Sequence, residues 1–312
     1  MIPYIGDLTV EKLHVQAPTE VVFLCGGPWS NNSEDPIKSM RHAFLNVAEH
    51  KALRNRELVR AEDVTKLSTF SAHYDELLQF ENDLAQIVEL ILLFCESEGS
   101  FAELGSFVML DEIATRVLVV IRDHHWQDDS FIKLGPLQFL INRTGEYSVF
   151  VIEDAVMGMK TDNIAEINLN GFAKAIDEPL SKRLERVREP STFDPNKSGH
   201  LIKLIVGIIQ EYGALTFEEV SEILTKLGLS IDERQIGAYL LCAESVGWTT
   251  KKNKGFKQYI VATGGDDAAL FHSPDNAEIK DRKRRRVLIR EFWEEKEPAR
   301  MRAIKEQIGG EL

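Results

Sequence analysis

The sequence predicts an α/β fold, an open parallel sheet over the first half of the chain, followed by a second domain of three helices and a hairpin. Up to residue 152, short continuous apolar runs alternate with helical stretches, and glycine or polar residues follow each run. Strands covered on both faces read this way. Beyond a proline-rich break near residue 190, apolar residues recur every three or four positions behind helix-capping residues, and a lysine-rich turn follows.

Taken in order, Val21-Val22-Phe23-Leu24-Cys25 is a strand feeding the turn Gly26-Gly27-Pro28. Ile37, Met40, Phe44, Leu45 and Val47 recur mostly at helical spacing. Leu58-Val59 begins a second strand that closes at Arg60-Ala61-Glu62-Asp63, and a helix over 74–86 leads into a third strand over 88–94. Glu98-Gly99-Ser100 opens a turn, and residues 101–110 form a helix from it, with Glu103 in the first turn. Residues 117–121 and 149–152 are the fourth and fifth strands. Such an alternation gives a Rossmann-like sheet with right-handed crossovers, over residues 1–160, whose ligands lie beyond the C-terminal strand ends.

Residues 161–195 read as a helical linker that ends at Pro190 and Pro195. In 196–265, an apolar helix over 200–212 precedes a Thr216/Glu219 capping box, an Asp232/Gln235 helix start, and a hairpin of 248–252 and 256–262 around Asn253-Lys254-Gly255. This is the winged-helix order. Residues 266–312 form a charged helical tail, helical over 278–308, in which Arg282 to Arg286 are either a solvated face or a phosphate contact.

With 312 residues, 44% of them hydrophobic, the chain can bury two cores. No apolar stretch approaches the roughly 18–20 residues of a membrane span, and the first residues lack the pattern of a signal peptide, so a cytoplasmic protein without a membrane partner is expected. Cys25, Cys95 and Cys242 each sit in an apolar run and read as buried thiols, and no metal site is expected. The net charge is −13, yet from Lys251 onward 15 Lys and Arg face 11 Asp and Glu. That segment is +4 and residues 1–250 are −17, so any nucleic acid is expected to dock near the C-terminus. Lys251, Lys252, Lys254 and Lys257 on the hairpin are the phosphate contacts expected. The presumed recognition helix holds only Arg234 as a base-reading cation, which argues against sequence-specific readout.

The chemistry centres on Glu96-Ser97-Glu98-Gly99-Ser100-Phe101-Ala102-Glu103-Leu104-Gly105. A helix opening at a Gly-Ser turn presents free N–H groups to an anion. Spacing alone leaves Glu103 either a catalytic carboxylate or a charge that stabilises its own helix. His124-His125-Trp126 and Trp29 are loop residues that either contact a base or pack on their own domain.

These motifs, together with Phe23 to Pro28, Glu62-Asp63, Glu81-Asn82, Ser130-Phe131-Ile132 and Gly135-Pro136, resemble the nucleoside deoxyribosyltransferase-like superfamily. More closely, the whole resembles bacterial retron effectors that join such a domain to a winged helix. The resemblance makes Glu103 the nucleophile at an anomeric carbon, with an oxocarbenium-like transition state. It places Gly26, Gly27, Glu62, Asp63, Glu81, Glu98, Gly99 and Ser100 around the substrate. The transferases carry Asp-Pro-Gly-Thr where Ser97-Glu98-Gly99-Ser100 stands here, which points to a larger ligand than a deoxynucleoside. The implied activity is a toxic anti-phage N-glycosidase with NAD or a related nucleotide as substrate and no cofactor. The implied partners are a retron reverse transcriptase and its multicopy single-stranded DNA, and the resemblance leaves open a homo-oligomer or filament. A non-catalytic nucleotide-sensing DNA-binding regulator and a true deoxyribosyltransferase are the alternatives.

Overall fold

The computed structural model describes residues 1–16, 20–32, 34–66, 70–127, 129–160, 163–185 and 189–309. Parts of the expected linker, at 161–162 and 186–188, and the last three residues of the tail lie outside them. The chain forms two compact units, Pro18–Val64 with Leu84–Arg188, and Met1–Ala17 with Thr65–Asp83 and Glu189–Leu312.

The first unit is an α/β fold on a five-stranded parallel sheet of β1 (Val21–Cys25), β2 (Glu57–Val59), β3 (Leu90–Cys95), β4 (Val117–Arg122) and β5 (Val149–Ile152), in the order β2-β1-β3-β4-β5. Phe23 pairs with Val59 on one side and Ile91 on the other, and Ile91 in turn with Val117. Every residue of β1, β3 and β4 is buried, because helices cover both faces. On one face, Leu24, Phe94 and Val120 pack with Met40 and Phe44 of α1 (Met40–Asn46), and α2 (Ala61–Thr65) follows β2. On the other side of β3, α3 (Glu98–Val108) sends Phe107 edge-on to Phe23. Phe172, Ile176 and Leu180 of α4 (Leu169–Leu184) complete the core, and the buried Arg183 donates to the carbonyls of Thr115 and Val117.

The α3 start differs from the sequence expectation in one consequential way. The helix begins at Glu98, three residues early, because Ser97 is its N-cap: Ser97 Oγ accepts from Ser100 N, and the Ser100 side chain answers to the Ser97 backbone. Glu103 therefore lies in the second turn, on the same face as the buried Ser100.

The second unit contains α5 (Ser198–Tyr212), α6 (Phe217–Lys226) and α7 (Glu233–Ser245), then β6 (Thr249–Lys254) and β7 (Lys257–Ala262). Thr216 and Glu219 form the expected capping box, and Asp232 caps α7. The sequence missed the strand Ala214–Leu215, which pairs with Ile260 and Val261 of β7. The hairpin loop is Gly255-Phe256, two residues long, since Lys254 pairs with Lys257 and Gly255 takes φ +62. A second small sheet places His14–Val15 between Ser191–Thr192 and Ala269–Leu270.

The tail is two helices, α8 (Arg282–Lys296) and α9 (Pro298–Gly309), parted where Glu297 precedes proline. The alternative of a simply solvated face is corrected for three of its arginines. Arg282, Arg285 and Arg286 all bond the wholly buried carboxylate of Glu211, and Arg282 and Arg286 also bond Asp267. Lys283 and Arg284 face solvent. No helix of the described residues is long and apolar enough to cross a membrane.

Candidate active site

The C-terminal ends of β1, β2 and β3 bring one cluster together. Gly26 adopts φ +142, and a Cβ there would stand 2.8 Å from Phe94 Cβ. At Gly27 it would meet Ser39 Cβ at 2.8 Å and Glu96 Oε1 at 2.9 Å. The sequence reading gave these glycines to a ligand's close approach; the structure gives the space to the protein's own side chains. Gly27→Ala should destabilise the α/β unit by about 1–3 kcal/mol, measured as a lower denaturation midpoint.

Glu96, at the end of β3, is the clamp that occupies this space. Its Oε1 accepts from Gly27 N at 3.3 Å and Arg41 N at 3.1 Å, and its Oε2 from Met40 N at 2.5 Å. The carboxylate thus sits at the positive end of α1. Burial pushes its pKa up, while the three N–H donors and the Arg41 charge pull it down. Glu96 ties the glycine turn to α1.

Arg41 extends from that helix start. Its Nε donates to Gly27 O at 2.7 Å and an Nη to Glu62 Oε1 at 2.6 Å, with the side chain only 5% exposed. Sequence reasoning missed it. The usable signal was its place in the first turn of a helix, where the macrodipole disfavours a cation unless an acidic partner compensates.

Glu103 completes the cluster. Its Oε2 is buried and, among the described residues, accepts no hydrogen bond. Burial, reinforced by the neighbouring Glu62 charge, pushes its pKa up to about 7 against the opposing pull of Arg41. Beneath it the Cys95 thiol is pushed well up by burial and by Glu103 and Glu96. An unpaired carboxylate beside an Arg–Glu pair, beyond the C-terminal ends of a parallel sheet, suits chemistry on a centre that develops positive charge.

The other expected substrate residues divide. Glu62 belongs to the cluster through Arg41, whereas Asp63 bonds Arg60 at 2.7 Å. The Ser100 hydroxyl is taken up by the N–H groups of Glu96 and Ser97 and the carbonyl of Ser97, so it faces the chain rather than a ligand. Glu98 and Gly99 are exposed at the start of α3, and a Cβ on Gly99 would meet open space. Glu81 is buried on the helix Leu77–Ala85, within the segment assigned to the other unit. Trp29 packs under Arg60, 3.9 Å from ring centroid to guanidinium carbon.

Beyond β4, the carboxylate of Asp154 receives Arg122 through two 2.7 Å bonds and lies 3.0 Å from His124 Nδ1. Asp123, His124 and Asp154 approach within metal-binding range, a convergence the sequence spacing did not reveal. Arg122 already neutralises Asp154, which disfavours a divalent cation there. His125 packs edge-on against Phe101.

On the hairpin, Lys251 pairs with Glu244, Lys254 with Glu306 and Lys257 with Glu297. Lys252 is half-buried on the same strand. Exposed pairs of this kind are each worth about 1 kcal/mol or less, so a phosphate can replace the carboxylate partner.

A family model described as STM3845 retron effector protein matches residues 37–251. The "Retron Ec73 putative ribosyltransferase/DNA-binding protein" of Escherichia coli is 29% identical over 229 residues, 70% of this chain and 71% of that protein. The "Retron Ec86 putative ribosyltransferase/DNA-binding protein" of Escherichia coli is 33% identical over 138 residues, 44% of this chain and 42% of its own length.

Proposed function

Since the chain belongs to the STM3845 retron effector proteins, we propose that its α/β unit is a nucleotide N-glycosidase that hydrolyses NAD at the nicotinamide–ribose bond. The observation that carries this reading is the half-buried Glu103, whose buried Oε2 accepts no hydrogen bond among the described residues and whose charge feels Arg41 and Glu62. The names of the two Escherichia coli relatives support glycosyl transfer.

In this reading the fold is nucleoside deoxyribosyltransferase-like and the ionised Glu103 faces the anomeric carbon. As the C–N bond breaks, its electrons pass to the pyridinium nitrogen and nicotinamide leaves neutral, so no acid is needed at the leaving group. The ribosyl carbon becomes cationic and is stabilised by the carboxylate or captured as an ester. Water supplies the hydroxyl of ADP-ribose and releases one proton. The second unit is a winged helix whose Lys251, Lys252, Lys254 and Lys257 meet the phosphates of a structured nucleic acid. A retron reverse transcriptase and its single-stranded DNA restrain the toxin until phage infection.

The test is the released effector with NAD, read by mass spectrometry. Nicotinamide and ADP-ribose are expected; NAD and other nucleotides left intact would defeat the enzyme reading in favour of a nucleotide sensor, and base exchange on deoxynucleosides would indicate a transferase.

A pH profile adds a second check. Because Glu103 must be ionised, kcat/KM should climb with pH up to about 7 and then level off. In Glu62→Gln the charge that raises the Glu103 pKa is gone, so the rising limb should move to lower pH. An unmoved limb would show that another group titrates.

A further inference from the structure

The second unit holds a cavity of about 190 Å³ whose lining includes Gly213, Thr263, Gly265, Arg286, Arg290 and Gln307. Two arginines of α8 face it from one side, and the loop that leaves β7 forms another wall. Around it Arg282, Arg285, Arg286 and Arg290 gather, while the carboxylates that bond them are Glu211 and Asp267 alone among the described residues. Both are fully committed. Asp267, which also lines the cavity, gives one oxygen to Arg282 and the other to Arg286. Glu211 takes Arg282, Arg285 and Arg286. The nearby Asp7 carboxylate caps the N–H groups of Glu278 and Ile279.

Arg290 is the cation left over. It donates only to the backbone carbonyls of Glu211 and Gln210, at 3.2 and 3.3 Å, and makes no ion pair among the described residues. Its position is fixed by the chain: Gly213, at φ +78, leaves room where a Cβ would come within 2.5 Å of the guanidinium carbon. Burial and the Arg286 charge pull its pKa down to about 10, and the Glu211 charge offsets them only in part.

We propose that this cavity is an anion site for a single phosphoryl group, held by Arg290 and Arg286 with the backbone of the glycine loop. Its volume decides against a whole nucleotide, since sites for ligands of that size run to roughly 300–1,000 Å³. The guanidinium fork suits the oxygens of a phosphate. The phosphoryl group is either a free phosphate or the terminal phosphate of a nucleic-acid strand, because the cavity is too small to enclose flanking sugars. The site is independent of Glu103, and its test does not depend on NAD cleavage.

The experiment measures binding of inorganic phosphate, against chloride at equal ionic strength, by thermal shift and calorimetry on the full chain. Fluorescence anisotropy with a single-stranded oligonucleotide carrying or lacking a 5′-phosphate forms the second arm. Arg290→Gln removes the cation, and Gln307→Glu places a negative charge in the cavity without touching the arginine cluster. Arg290→Gln should weaken binding at least about tenfold, the loss of one hydrogen bond to a charged group, and Gln307→Glu should do so by repulsion of the anion. A preference for phosphate alone assigns a free anion, and a preference for the 5′-phosphorylated strand assigns a nucleic-acid end. If neither probe binds the wild type better than Gln307→Glu, the proposal is overturned.

Discussion

Glu103→Gln should abolish nicotinamide release while making the protein more stable at alkaline pH. Loss of the carboxylate removes the group that stabilises the ribosyl cation, and a fall of at least about a thousandfold in kcat is expected. The stability gain follows from linkage. In the folded chain Glu103 has a pKa of about 7, above its ordinary 4.5. Below pH 4.5 the residue is protonated whether folded or not, so wild type and variant are matched there. As pH rises past 4.5 the unfolded chain ionises freely while the folded one resists, and by pH 8 the wild type has lost about 3 kcal/mol relative to the neutral amide. Denaturation of both proteins at pH 4.5 and pH 8 checks this. A variant that is inactive and no more stable at pH 8 would place the carboxylate in solvent and remove the basis for the proposed chemistry.

Glu211→Gln should be the most damaging single change in the second unit. The carboxylate and Arg285 are both wholly buried; Arg285 bonds its Oε1, and Arg282 and Arg286 share its Oε2. An amide leaves three guanidinium groups with an acceptor of half the capacity and no charge, which costs about 3–5 kcal/mol for a broken buried pair. Lys254→Ala, at an exposed pair, should change stability by no more than about 0.5 kcal/mol. Chemical denaturation of the two variants distinguishes a tail built into the unit from one that merely rests on it; a cost below about 1 kcal/mol for Glu211→Gln would favour the latter.

The pH-dependent gain at Glu103 and the loss at Glu211 have a common origin in what burial does to a carboxylate. At Glu211 three arginines compensate it. At Glu103 the cation that pulls on it, Arg41, is already bonded to Gly27 O and Glu62, and one oxygen is left without a donor. The second arrangement leaves capacity for a substrate, and the first does not.

The sequence by itself determined the parallel sheet, because strands buried on both faces must be continuously apolar and their ends must turn at glycine or polar residues. It likewise determined the capping box at Thr216 and Glu219 and the hairpin, since both depend on contacts a few residues apart. The local pattern after β3 brought Glu103 forward only as one of two readings, and the family resemblance gave it the catalytic one. Only the tertiary structure decided which charges are spent. The Ser100 hydroxyl and the space at Gly26 and Gly27 were consumed by the chain itself. Arg41 reached Glu62 across 21 positions, and Arg285 reached Glu211 across 74. Local spacing carries no record of such partners, because an ion pair is set by where folded elements meet, whereas a cap or a strand is set by the dihedral preferences and burial of neighbouring residues.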